Sequence, residues 1–259
     1  KSINLRSFDA YNFSLTIISS GGFLSINNFD SLFYSNISKI VLSVTILFSY
    51  FSLFFTYNVF FFKKRNINYL SEDFYLSIYL LIVVSFTFVF FNYDNNFLNI
   101  LVSIFSSVSN LGISFNDTPK NLSFIFLLLV IIGGSFFSTS SGLRVVKVLS
   151  LIKFCLNNLL SHTRPNQVYL NKISLSNSNT NKTDINKYFL TIIVFIISLF
   201  SVTLLLTISN IELENAFKIG ILTIMNTVNS SMYGVSEFDF YNLSTFAKYI
   251  LIIFMIIGR

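Results

Sequence analysis

The sequence predicts an all-α integral membrane protein in which outer helix, pore loop and inner helix repeat around a central pore. Three observations lead to this fold class. The composition is 53% hydrophobic and only 11% charged, whereas a soluble domain is roughly one quarter charged. Mean hydropathy is +0.71. Long apolar runs alternate with shorter apolar segments that share a pattern.

The long apolar runs predict membrane-spanning helices, which need about 20 apolar residues each. These runs cover residues 37–62, 74–91, 143–160 and 188–208. Another begins at residues 246–257. Residues 122–132 are apolar but too few to cross, because the stretch GGSFFSTSSGLRVVK, residues 133–147, interrupts the pattern with glycines, hydroxyls and cations. We therefore expect a helix that is broken inside the membrane.

Shorter segments lie between these runs, at residues 12–20, 97–110 and 216–230. They are moderately apolar and too short to cross, which favours re-entrant or buried helices. Backbone that leaves a helix at membrane depth is stable only where protein or water satisfies its polar groups. Three such segments therefore indicate a water-lined centre.

The short segments form an internal repeat: NFSLTIISSGGFLSINNFD, NILVSIFSSVSNLGISFND and FKIGILTIMNTVNSSMYGVSEFD. Each has a short apolar helix, then Ser or Asn residues, a turn of small residues and a polar run that ends in Asp. A hydrophobic helix follows each one. Such self-similarity is typical of units that bury a core between copies.

Extended backbone after a pore helix can present carbonyl oxygens that replace the hydration shell of a cation, and glycine suits such backbone. Taken singly, each turn is compatible with an ordinary loop. Together they predict ion-binding filter residues in three segments, namely Ser20, Gly21, Gly22, Asn110, Leu111, Gly112, Asn229, Ser230, Ser231 and Met232.

The charges predict an orientation. Basic residues cluster at 63–65 and between residues 144 and 187, which would be the cytoplasmic side of a multi-pass protein in the plasma (inner) membrane. Glu212 and Glu214 are among the acidic residues on the other side, where negative charge would concentrate cations. Ordinary solvated loops would give the same pattern.

Catalytic chemistry is not expected. The sequence shows no convincing catalytic triad, carboxylate pair or HExxH-like ligand set. With one histidine and one cysteine, most such sites and an intrachain disulfide are impossible. It also has no phosphate-binding glycine loop. We expect neither an enzyme nor a cofactor.

Three motifs resemble a known family: SSGGF at residues 19–23, IGGSFFSTSSGLRVVKVL at 132–149 and AKYILIIFMIIGR at 247–259. They are similar to the TrkH/KtrB/HKT superfamily of potassium transporters, most closely to bacterial TrkH subunits. The resemblance implies four units around one pore, of which the first is absent here. The units it implies are residues 1–62 (second), 63–160 (third), a cytoplasmic connector at 161–187, and 188–259 (fourth, truncated in its inner helix).

The resemblance also implies a gate, because the family's middle motif is an intramembrane loop below the filter. The implied gate residues are Gly133, Gly134, Ser138, Thr139, Ser140, Ser141, Gly142 and Arg259. A buried arginine is costly in a membrane and is a functional candidate. The alternative interpretation is that Arg259 lies at a helix end and extends its side chain to the membrane surface.

Two departures from the family pattern leave the function open. Phe137, Ser140 and Ser141 replace loop glycines, and Ser231 or Met232 stands where the fourth filter glycine is expected. The leading hypothesis is a potassium-uptake subunit that conducts K⁺ through a carbonyl-lined, gated filter. The alternatives are a sodium or non-selective cation pathway and a degenerate, non-conducting structural subunit. By resemblance, the partners would be the bilayer, a second copy and a cytoplasmic, nucleotide-binding TrkA-like subunit.

Overall fold

The computed structural model describes residues 6–23, 33, 35–53, 55–57, 67–90, 97–115, 118–163, 182–235 and 243–258. This part of the chain contains helices and no strand, which confirms the all-α prediction. The helices are α1 (Ser7–Ser19), α2 (Asn36–Tyr50), α3 (Ile67–Phe90), α4 (Phe97–Val108), α5 (Ser123–Ile132), α6 (Val145–Thr163), α7 (Lys182–Ile208), α8 (Leu213–Ile224) and α9 (Thr245–Ile257). Short 3-10 helices lie at Lys120–Leu122 and Ser231–Tyr233.

The helices follow the order that the repeat predicts, namely a short helix, a turn and a second apolar helix. The short helices α1, α4 and α8, called the pore helices below, are each followed by a tight turn and then by another apolar helix. Helix α2 packs on α4, and α5 packs on both α4 and α8. Helices α2 and α5 thus pack against the pore helix of the next unit, whereas α9 packs against α8 of its own unit. This arrangement brings the ends of the pore helices together.

Pore helix α4 lies at the centre of the core, with every residue from Asn99 to Val108 buried except Leu101. Its serines are compatible with burial because their hydroxyls donate to carbonyls one turn earlier: Ser103 to Asn99 at 2.9 Å and Ser107 to Ser103 at 2.7 Å. A hydroxyl bonded in this way no longer needs water.

Helix α2 is shorter than the predicted run 37–62, because the chain leaves the helix at Phe51 (φ −75°, ψ 162°). The break is held by Asp73 of α3, which accepts hydrogen bonds from the Ser52 backbone N–H at 3.2 Å and from its hydroxyl at 2.7 Å. The Ser52 hydroxyl also accepts from the Phe55 N–H at 3.1 Å and so caps the next helical residues. Hydrophobicity alone does not reveal this break.

Within the described residues, one helical segment, Ile185–Ile208 of α7, is long and apolar enough to cross a membrane. The other predicted spans correspond to shorter apolar helices or to helices with polar ends. The interrupted run is observed as predicted: α5 ends at Ile132, and α6 begins at Val145.

Candidate functional site

The three pore helices end in the same backbone turn. After α1, the N–H of Ser20 bonds to Ile17 and that of Gly21 to Thr16. After α4 and α8 the spacing is identical: the first donor reaches three residues back and the second reaches five. This pair of bonds is the Schellman helix end, which needs one residue in the left-handed conformation. Those residues are Ser20 (φ 51°), Asn110 (φ 60°) and Asn226 (φ 51°).

This repeat fixes the register of the three turns at residues 20–22, 110–112 and 226–228, called the first, second and third turn below. The first two coincide with the predicted filter segments. In the third unit the equivalent turn begins three residues before Asn229, the first residue of the predicted segment. The sequence places Val228 where the other turns have Gly22 and Gly112.

The three turns contact one another. A Cβ added to Gly22 would overlap the carbonyl oxygen of Leu111, and one added to Gly112 would overlap the carbonyl oxygen of Val228. Both glycines also have positive φ, 67° and 78°, a region that L-residues avoid. Glycine is therefore required at each position for two reasons. The backbone conformation disfavours any other residue, and a neighbouring backbone leaves no room for a Cβ.

The second turn is fixed further by Ser106, whose buried hydroxyl accepts a hydrogen bond from the Ile113 N–H at 2.7 Å. The backbone carbonyl of the same serine accepts from the Leu111 N–H at 2.9 Å. One helical residue thus holds both sides of Gly112 in place.

The interruption between α5 and α6, residues 133–144, is called the break loop below. Its two ends are joined, because the N–H groups of Leu143 and Arg144 both donate at 2.9 Å to carbonyls of Ile131 and Ile132. Gly133 and Gly142 lie in contact at this closure, and both have positive φ. The loop therefore leaves the helix axis and returns to it at nearly the same place.

The break loop contacts the first two turns and the residue that precedes the third. Thr139 lies 3.2 Å from the Ser20 hydroxyl, and Asn110 donates to the Ser141 hydroxyl at 2.7 Å. The Ser141 hydroxyl in turn donates to the carbonyl of Met225, the residue before the third turn. The predicted gate residues and the first two filter segments are thus neighbours in space.

The loop is also held from within and from α2. The Ser140 hydroxyl accepts from the Gly134 N–H at 3.1 Å and lies 2.7 Å from the Ser138 hydroxyl. Arg144 donates to the Ser138 hydroxyl at 3.0 Å and to the Ser135 carbonyl. The backbones of the loop and of the α2 end exchange bonds, from Ser135 to Tyr50 and from Leu53 to Phe137, both at 3.1 Å.

Asn229, Ser230, Ser231 and Met232 lie beyond the third turn. Met232 is buried, and its sulfur lies 3.8 Å from the Ser107 hydroxyl. Ser231 lies 3.3 Å from the Ser114 hydroxyl. The Asn229 side-chain oxygen and the Ser230 hydroxyl are buried without a hydrogen-bond partner. These residues pack beside the second and third turns.

Arg259 lies outside the residues that the structure describes, so its gating role stays a prediction.

Glu214, predicted at an acidic mouth, is exposed and bonds to Lys218 at 2.6 Å. This hydrogen bond and the ammonium charge hold the pKa of Glu214 below its usual value. Its negative charge is thus partly balanced within one helix.

Sequence reasoning missed three contributors to the site: Asn226, Val228 and Met225. Their signal was present, because each pore helix is followed by Ser or Asn in the left-handed position, and Asn tolerates that conformation. Aligning the units on Ser20, Asn110 and Asn226 instead of on glycine would have found the third turn.

No protein-family model matches the sequence, and no curated protein sequence does. Among solved structures, the chain is similar to the potassium transporter TrkH from Vibrio parahaemolyticus, with a TM-score of 0.82 and 21% identity. The match covers 99% of this chain and 57% of that one, so the chain spans little more than half the transporter's length. The TrkH fold that the motifs predicted is therefore the fold of this chain.

Proposed function

We propose that this chain forms a large part of the pore of a membrane protein that takes up K⁺. The observation that carries the proposal is the convergence of three helix-end turns with the same hydrogen bonds on one loop. That loop bonds to the first two turns and to the residue beside the third. A solved protein with this fold bears the description potassium transporter.

The electrostatics of the turns favour a cation. Each pore helix ends at a turn, and the C-terminal end of a helix carries a partial negative charge. None of the last turns of α1, α4 and α8 contains a basic residue. The carbonyl groups of Leu111 and Val228 lie where the turns meet, and rings of carbonyls are the groups that replace water around K⁺.

A bilayer is the environment that the outer surface fits. Helix α7 exposes Leu190, Ile197 and Phe200, each more than 60% accessible. Exposing such side chains to water costs about 25 cal/mol per Å², whereas lipid solvates them without this cost. We place the chain in the plasma (inner) membrane as a multi-pass protein.

The break loop would act as the gate. It is bonded through hydroxyl groups to the first two turns and to Met225 beside the third, so a modest rearrangement would change the path beneath them. The side-chain oxygen of Asn110 and the hydroxyl of Ser135 are buried without a hydrogen-bond partner. Buried oxygens of this kind are suited to water or to a passing cation. Arg259 would add a repelling charge to the closed gate.

A sodium or non-selective pathway is the second candidate, because the third turn lacks the glycine of the other two. A non-conducting structural subunit is the third. The homodimer and the cytoplasmic TrkA-like partner that the resemblance implies are part of the proposal, with no bound cofactor in this chain and K⁺ as the transported ion.

The test is ion flux into liposomes that contain the complete protein. Uptake of K⁺ and Rb⁺ well above that of Na⁺ supports the leading candidate, and equal uptake supports the second. Protein that is folded but passes no ion supports the third.

Arg259→Ala should raise the resting ion leak, because the substitution removes the repelling charge. An unchanged leak would show that Arg259 has no gating role.

A further inference from the structure

The third turn has the hydrogen bonds of the other two but not their backbone. Gly22 and Gly112 have φ of 67° and 78°, whereas φ of Val228 is not positive. A β-branched residue strongly disfavours that region. The valine therefore alters the conformation of the third turn at the position where the turns meet.

The Val228 side chain lies among the three turns. Besides the carbonyl contacts between successive turns, a Cβ added to Gly22 would lie 2.9 Å from Cγ2 of Val228. A methyl group of the third turn thus reaches the first turn. All three pairs of turns are in contact at this level, and the first–third contact is made by hydrocarbon.

We propose that Val228 narrows the cation path at this meeting point and limits the rate at which K⁺ passes. The inference rests on the proposed function. A cation that loses water needs oxygen atoms in exchange, and an isopropyl group provides none. The methyl group also occupies volume beside the point where the Leu111 carbonyl approaches Gly22.

The experiment measures Rb⁺ and K⁺ uptake by the complete protein in liposomes for wild type, Val228→Ala and Val228→Gly. Uptake should rise with each step, and the glycine variant should exceed wild type by roughly tenfold, the effect of about 1.4 kcal/mol of barrier. Val235→Gly is the control for the same substitution, since Val235 is also a valine and lies buried outside the three turns. It should leave uptake unchanged.

Size-exclusion profiles show which variants remain folded, and the alanine variant decides the question if glycine unfolds the protein. Folded variants with uptake equal to that of a conducting wild type would overturn the role of Val228 and leave the proposed function intact. Absence of uptake in wild type and in every folded variant would overturn both. The role of Val228 would also be overturned if Val235→Gly raised uptake as much as Val228→Gly does.

Discussion

At Ser20, Asn110 and Asn226 the backbone turns left-handed, and each residue stops a pore helix at the centre of the molecule. Two of these side chains also bind the break loop, Ser20 through Thr139 and Asn110 through Ser141. One small polar residue thus ends the helix and fastens the neighbouring loop. This dual use explains Ser20 and Asn110, whereas Asn226 donates to the carbonyl of Met255 in α9.

Gly112 is the residue whose replacement should affect ion passage most directly. Alanine there would have to adopt positive φ, which costs roughly 1–2 kcal/mol, and its Cβ would overlap the Val228 carbonyl. We expect Gly112→Ala to lower K⁺ uptake by about tenfold or more. The measurement is Rb⁺ uptake in liposomes at equal amounts of folded protein.

Gly220→Ala is the control for Gly112→Ala. Gly220 lies inside helix α8, where an added Cβ makes contacts of 3.4 Å or more and alanine favours the helix. Uptake should stay near that of wild type. If Gly112→Ala conducts as well as Gly220→Ala, the second turn does not line the ion path.

The break loop is the element on which gating depends, and side-chain hydroxyls hold it to the turns. Removing the ties of Thr139 and Ser141 with the double variant Thr139→Val/Ser141→Ala deletes hydrogen bonds that contribute about 1 kcal/mol each. Losing about 1–2 kcal/mol should raise the resting flux by a factor of roughly 5–30. Flux without any regulatory partner is the quantity to measure.

Ser150→Ala is the matched control for the loop, since the Ser150 hydroxyl donates only to Val146 within α6. It should not change the resting flux. A double variant with wild-type flux would show that these ties do not hold the path closed, and the loop would then be a structural feature of the helix break.

For the whole molecule, the exposed hydrophobic surface determines where the protein resides. Ile197 lies at the middle of the segment Ile185–Ile208 and is 63% exposed. A lysine at the centre of a membrane helix costs about 2.5–3.5 kcal/mol, so Ile197→Lys should greatly reduce the protein retained in membranes after carbonate extraction. Asn186→Lys, on an exposed residue near the helix start, should be retained normally. Equal retention of the two variants would contradict a membrane-spanning α7.

The sequence by itself determined the helical class, the repeated order of short helix, turn and apolar helix, the interrupted helix at Gly133 and the first two turns. These features follow from local properties, namely apolar run length and the positions where only glycine fits. Only the tertiary structure joined Met225, beside the third turn, to the break loop, bonded Asp73 to the end of α2 and brought Thr139 to Ser20. Those contacts join residues far apart in the chain, and their energies depend on packing that no local pattern encodes.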